Sequence, residues 1–265
     1  MNNWILNLPV LWIGALILAG TYLATAGIYL LVTKLAVGDR AVAFKSISPG
    51  MLPPIATIFA LLVGFLAAQD WNQRERASAA VNREASSLRA VVLLAAAFPG
   101  EPESRLRQLV HDYIQDAVAR EWPAMARQDV TLTIAPPTLT QALRLVLSLT
   151  PQRDGQIAAQ RELVAWLGSA LDARRQRIIL SGSSLDWVKW TVLYVLAGLT
   201  LITIAMVHSG NPTANRIILG IFGTGVGVAV LLIVSHSRAF TGEMGVTPSV
   251  LLQVMPEGGP GVGNP

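Results

Sequence analysis

Residues 52–98 read LPPIATIFALLVGFLAAQDWNQRERASAAVNREASSLRAVVLLAAAF. After the opening Pro53-Pro54, residues 55–68 are uncharged and place Ile, Phe, Leu and Val on every helical face, as a segment surrounded by lipid and other helices requires. Residues 69–97 carry charges, keep their apolar residues mainly on one stripe, and contain no proline or glycine. The pattern predicts one helix that leaves a membrane and continues into water without a break. Trp71 falls where the halves meet, the depth at which an indole keeps its ring in hydrocarbon and its N–H wet.

The rest of the chain fits that reading. Of 265 residues, 52% are hydrophobic and 14% charged, a departure from soluble averages toward an integral membrane protein. Residues 69–187 hold 27 of the 36 formally charged residues, 14 of them Arg and 13 acidic, so a polar block is bracketed by apolar ones. There is no cysteine, which excludes disulfides, thiolate nucleophiles and Cys-ligated metals. A net charge of +4 gives a nucleic-acid surface no electrostatic support.

Four runs are long enough to cross a hydrocarbon core of roughly 20 residues: 10–33, 51–68, 188–207 and 217–235. The second is short by itself, and its continuation as a helix removes the difficulty. The first lacks an amino-terminal Lys or Arg and is longer than a signal h-region, so it is expected to be retained. The expected fold is an all-α integral membrane protein with four transmembrane helices and a helical cytoplasmic domain. Residues 1–68 hold the first two spans, 69–187 the cytoplasmic domain, 188–235 the other two spans, and 236–265 a tail with a disordered end.

Positive charge near the membrane ends sets the orientation. Arg74, Arg76, Arg83, Arg174, Arg175, Arg177, Lys189 and Arg238 lie on one side, against Lys34, Arg40, Lys45 and Arg216 on the other. That places residues 69–187 and both termini in the cytoplasm. Trp187 and Trp190 mark the same interface as Trp71.

Within the first span Thr21, Thr25, Tyr29 and Thr33 recur every four residues, on one face. Hydrogen bonds to backbone carbonyls or neighbouring helices account for them better than a wet pathway. In the fourth span Gly220, Gly223, Gly225 and Gly227 predict close packing against a neighbouring helix.

The polar block reads as helices. One starts at Glu101 and carries an apolar face from Leu106 to Val118 until Pro123 ends or kinks it; others are expected over 138–149 and 155–180. A β-capable stretch covers 130–134, and the apolar strip 250–255 needs cover from the protein or a second subunit.

An enzyme reading fails on inventory. His111, His208 and His236 have no ligand or triad spacing, and Asp112 and Asp116 form a solvated i, i+4 pair beside arginines. No cofactor or metal is expected. The ion-free span offers two apolar stripes, Ile55, Phe59, Leu62 and Leu66, and Ile58, Leu62, Phe65 and Gln69. Either stripe, repeated around a symmetric oligomer, would make a narrow constriction that gates by dewetting; from composition alone, helix or lipid packing is the favoured explanation of both.

Ile58-Phe59-Ala60-Leu61-Leu62-Val63-Gly64-Phe65-Leu66, Asp70-Trp71-Asn72 and Val81-Asn82-Arg83-Glu84-Ala85-Ser86-Ser87-Leu88-Arg89 resemble the pore helix and following cytoplasmic helix of bacterial bestrophins. Residues 49–256 more specifically resemble the bacterial bestrophin-like domain family, including Ala96-Ala97-Phe98-Pro99-Gly100-Glu101, Glu121-Trp122-Pro123-Ala124-Met125-Ala126, Leu171-Asp172-Ala173-Arg174-Arg175-Gln176-Arg177 and Ala205-Met206-Val207-His208-Ser209.

The resemblance implies a homo-oligomeric, pentameric channel of the bacterial inner membrane for inorganic anions such as chloride. Its neck would come from the second span, with Ile55, Ile58, Phe59, Leu62, Phe65 and Leu66 as candidates. Arg74, Arg76 and Arg83 would concentrate anions, their alternative being pairing with Glu75 and Glu84 plus headgroup contact. The acidic cluster that binds calcium in animal bestrophins is missing, and the tandem aromatic at the boundary is reduced to Trp71-Asn72, so calcium gating is not carried over. The partners expected are the lipid bilayer, further copies of the chain and anions. The competing expectation is a non-conducting scaffold whose helical domain binds a cytoplasmic partner.

Overall fold

A computed structural model describes residues 9–129, 132, 135–182, 187–237, 239–241 and 245–257. It is helical, with no strand among the described residues. The chain divides into two compact units, Met1–Asn72 with Ser184–Met244 and Gln73–Ser183 with Gly245–Pro265.

The first unit contains α1 (Val10–Leu35), α2 (Asp39–Lys45), a 3-10 turn (Pro49–Met51), residues 52–72 of α3 (Leu52–Ala95), α8 (Trp187–Val207) and α9 (Pro212–His236). With its leading turn, α3 joins α1, α8 and α9 as the four helices long and apolar enough to cross a membrane. Pro53 and Pro54 occupy the first turn of α3, where a missing N–H costs nothing. Asn211 Oδ1 accepts from Ala214 N at 3.1 Å and starts α9, with Pro212 at its first position. The sequence reading contained no α2; Gly38, at φ 61°, turns the chain into it.

Phe59 and Leu66 of α3 pack with Leu193 and Ala197 of α8 and Val226, Val230 and Ile233 of α9. Val32 of α1 joins Leu201, Ile204 and Ala205 of α8 and Leu219 of α9 in a second cluster. The threonines of α1 bond back along their own helix: Thr21 donates to Ile17 O, Thr25 to Thr21 O and Thr33 to Tyr29 O, at 2.7–2.8 Å. Tyr22 reaches α9 through Thr224, at 2.7 Å.

Two of the four glycines carry the close approach to α1. A Cβ on Gly223 would sit 2.8 Å from Thr25 Oγ1, and one on Gly227 2.7 Å from Leu18 Cδ2, whereas Gly220 and Gly225 meet nothing within 4 Å. Gly227→Val is therefore expected to cost about 1–3 kcal/mol by overpacking. Gly225→Ala should stay within about 0.5 kcal/mol. Thermal melting of the two variants in detergent checks the difference.

The second unit contains residues 73–95 of α3, α4 (Glu101–Asp116), a π turn (Ala117–Glu121), α5 (Trp122–Arg127), α6 (Pro137–Ser148), α7 (Asp154–Gly182) and α10 (Ser249–Gln253). Glu101 and Glu103 stand in the first turn of α4, where the helix dipole favours acids. Leu106, Leu109, Val110, Tyr113 and Ile114 bury its apolar face. Pro123 does not stop the rod: the ladder widens into the π turn, and Pro123 enters the first turn of α5, which ends on Gln128 at φ 61°.

Gln160 of α7 donates to the carbonyls of Val146 and Leu149 at 2.8 and 2.9 Å, closing α6. The apolar strip near the chain end forms α10, with Leu251 buried in this unit; Trp122 Nε1 donates to Val246 O at 3.2 Å. Most of 130–134, Arg238 and the tail beyond Glu257 lie outside the described residues.

Candidate functional site

A helix turns 100° per residue, so α3 can bury only part of its circumference. Phe59 and Leu66 are buried, Ile55 and Leu62 half-buried. A neighbouring side, about 90° further round the helix, carries Ile58, Leu61 and Phe65, which are 55%, 68% and 74% exposed. The two stripes drawn from sequence share Leu62 and otherwise part: Phe59, Leu62 and Leu66 turn toward α8 and α9, while Ile58 and Phe65 face outward. Leu61, which neither stripe contained, joins the uncovered face; its spacing of three from Ile58 and four from Phe65 is the signal that finds it.

At the end of the apolar run Trp71 is exposed and stacks on His236 of α9, with centroids 6.1 Å apart and planes at 17°. Lys189 Nζ of α8 donates to Gln69 Oε1 at 3.2 Å. Trp187 is exposed, whereas Trp190 is half-buried and stacks on Tyr194 at 5.7 Å.

In the second unit Arg76 and Arg83 are exposed and Arg74 half-buried. Arg83 lines two adjoining grooves between α3 and α7, one of about 320 Å³ with Arg76 and Ile179, the other of about 720 Å³ with Asp172 and Arg175. Glu84, read from sequence as a local partner for these arginines, instead turns into the core. Arg177 Nε donates to its Oε2 at 2.7 Å and Arg177 Nη2 to its Oε1 at 3.1 Å, and the Tyr113 hydroxyl donates to Oε1. Arg177 also bonds Glu121 Oε2 at 2.8 Å and lies 4.9 Å from the Trp122 ring centroid, while Arg174 Nε donates to Glu121 Oε1 at 2.8 Å.

Two carboxylates and two guanidiniums thus interlock where α3, α4, the π turn and α7 meet. Burial opposes the charge on Arg177, but Glu84 and Glu121 outweigh it and hold the guanidinium protonated. Burial likewise raises Glu121, and the hydrogen bond from Arg174 and the charge of Arg177 reverse the sign, leaving it below the usual carboxylate range. Burial and then the Glu84 charge push the Tyr113 phenol well above its ordinary value, so it stays a donor. Arg174 and Arg177, counted from sequence among the membrane-facing positive charges, are consumed here.

Residues 19–251 match the family described as Bestrophin-like domain. The chain belongs to the bestrophin-like family. A crystal structure of a bacterial bestrophin homologue from Klebsiella pneumoniae, carrying a point mutation, superposes with a TM-score of 0.65 at 11% identity, covering 93% of this chain and 97% of that one. No curated protein matches.

That likeness gives the bestrophin-like chain its fold: four membrane-length helices with an added helical unit, as the sequence led one to expect. In this bestrophin-like chain the three histidines make separate backbone contacts, His111 with Pro256 O, His208 with Ile204 O and His236 with Leu232 O, each at 3.0 Å.

Proposed function

We propose that this bestrophin-like protein is a homo-oligomeric, pentameric anion channel in which the Ile58, Leu61 and Phe65 face of α3 surrounds a dry axial neck. One observation supports the reading above others: α3 buries one side in its own unit and leaves three large apolar side chains uncovered on another. Around an axis those side chains form stacked rings, a constriction that excludes water until it widens. Phe59 and Leu66, inside the unit, act as the packing that holds α3 in position. Arg76 and Arg83, exposed on the charged continuation of the same helix, supply a positive field that raises local anion concentration.

Because the chain has no cysteine, a single introduced one reports its own neighbours. Oxidised membranes bearing Phe65→Cys are expected to yield disulfide-linked dimers on a denaturing gel, and Leu23→Cys, exposed on α1, only monomers. Monomers from Phe65→Cys would place that face against lipid and remove the neck.

A further inference from the structure

Asp70 has no part in the neck or in the ion-pair cluster, yet it is one of the few buried charged residues. It lies on α3 just past the apolar run, is 3% exposed, and its Oδ2 has no hydrogen-bond partner among the described residues. A buried carboxylate oxygen without a donor is costly when ionised, and isolated charges in such places neutralise readily. Two groups of the neighbouring helices face it, Lys189 of α8 and His236 of α9. Lys189 spends a donor on Gln69 Oε1, at 3.2 Å, so it acts on Asp70 through its field. His236 holds Nδ1 3.0 Å from Leu232 O and from Ser235 Oγ, and its ring stacks on Trp71, the residue next to Asp70.

We propose that Asp70 is a proton-binding site that clamps the end of the α3 neck segment to α8 and α9 and releases it on acidification. Ionised, the carboxylate attracts Lys189 and His236 and holds the start of α8 and the end of α9 against the middle of α3. When a proton from solvent adds to Oδ2, that attraction disappears and the contact loosens. This inference rests on the channel reading for its consequence and on Trp71 for an independent signal.

The test titrates reconstituted protein from about pH 8 to about pH 5 and follows two quantities. The first is Trp71 emission, isolated as the difference between the wild type and Trp71→Phe, which changes when the stack of Trp71 on His236 loosens. The second is chloride efflux. In Asp70→Asn, which carries no charge at any pH, both are expected to lose their pH dependence. An Asp70→Asn titration superimposable on wild type overturns the proposal. An emission transition that is present in wild type, absent in Asp70→Asn and unaccompanied by efflux at any pH upholds the proton site and removes the channel reading instead.

Discussion

Phe65→Ser is expected to raise chloride efflux from reconstituted vesicles by roughly tenfold, a lowering of the dewetting barrier by about 1.4 kcal/mol. The argument is geometric. Phe65 is 74% exposed and packs against little in its own subunit, so shortening it changes the axis and leaves the fold. Leu61→Ser, one turn away on the same face, should act in the same direction. Phe59 is the contrasting case six residues earlier, 7% exposed and in contact with the Phe222 ring at 5.9 Å between centroids. Phe59→Ala should leave a cavity and cost about 3 kcal/mol of stability without opening the neck. Vesicle efflux and detergent melting, run on both variants, separate the two roles. Equal efflux from wild type and Phe65→Ser would take the neck off this face.

The largest loss of stability is expected from Arg177→Met. Both Arg177 and Glu84 have fully buried side chains, so removing the cation strands a carboxylate in the core, at a cost of about 3–5 kcal/mol. Glu121 loses one of its two arginines in the same step. Melting followed by far-UV circular dichroism should fall by about 10 °C. The double variant Glu84→Leu with Arg177→Met should lose less than the sum of the singles, because the stranded charge goes too. Arg107→Met provides the control, since its pair with Glu103 is 40% exposed on the arginine side and spans i, i+4; it should cost less than about 0.5 kcal/mol. Glu121, held below the usual carboxylate range, adds stability that is present above about pH 4.5 and lost as acid carries the pH down through its folded value.

These two sites show what sequence can and cannot convey. Hydropathy and length located the membrane helices because a span needs a run of apolar residues whatever surrounds it. The continuity of α3 was legible for a similar local reason: nothing between residues 55 and 95 breaks a helix. The face of α3 was not legible, since Phe59 and Phe65 are chemically alike and only the positions of α8 and α9 decide which is covered. The same holds for Gly223 and Gly227 against Gly220 and Gly225. Glu84 and Arg177 stand 93 residues apart, and nearer arginines at 74, 76 and 83 offered a simpler pairing that the helix rotation forbids. The burial of Asp70 was not legible either, because it depends on the start of α8 and the end of α9 arriving beside the middle of α3.

The central claim, conduction along the α3 neck, is tested most directly by chloride efflux from liposomes carrying the purified protein, with potassium permeability set by an ionophore and empty liposomes beside them. The account predicts chloride-dependent efflux above the empty control, faster still with Phe65→Ser. Folded, oligomeric protein that shows no efflux in either form across the pH range would contradict it and favour a non-conducting membrane scaffold.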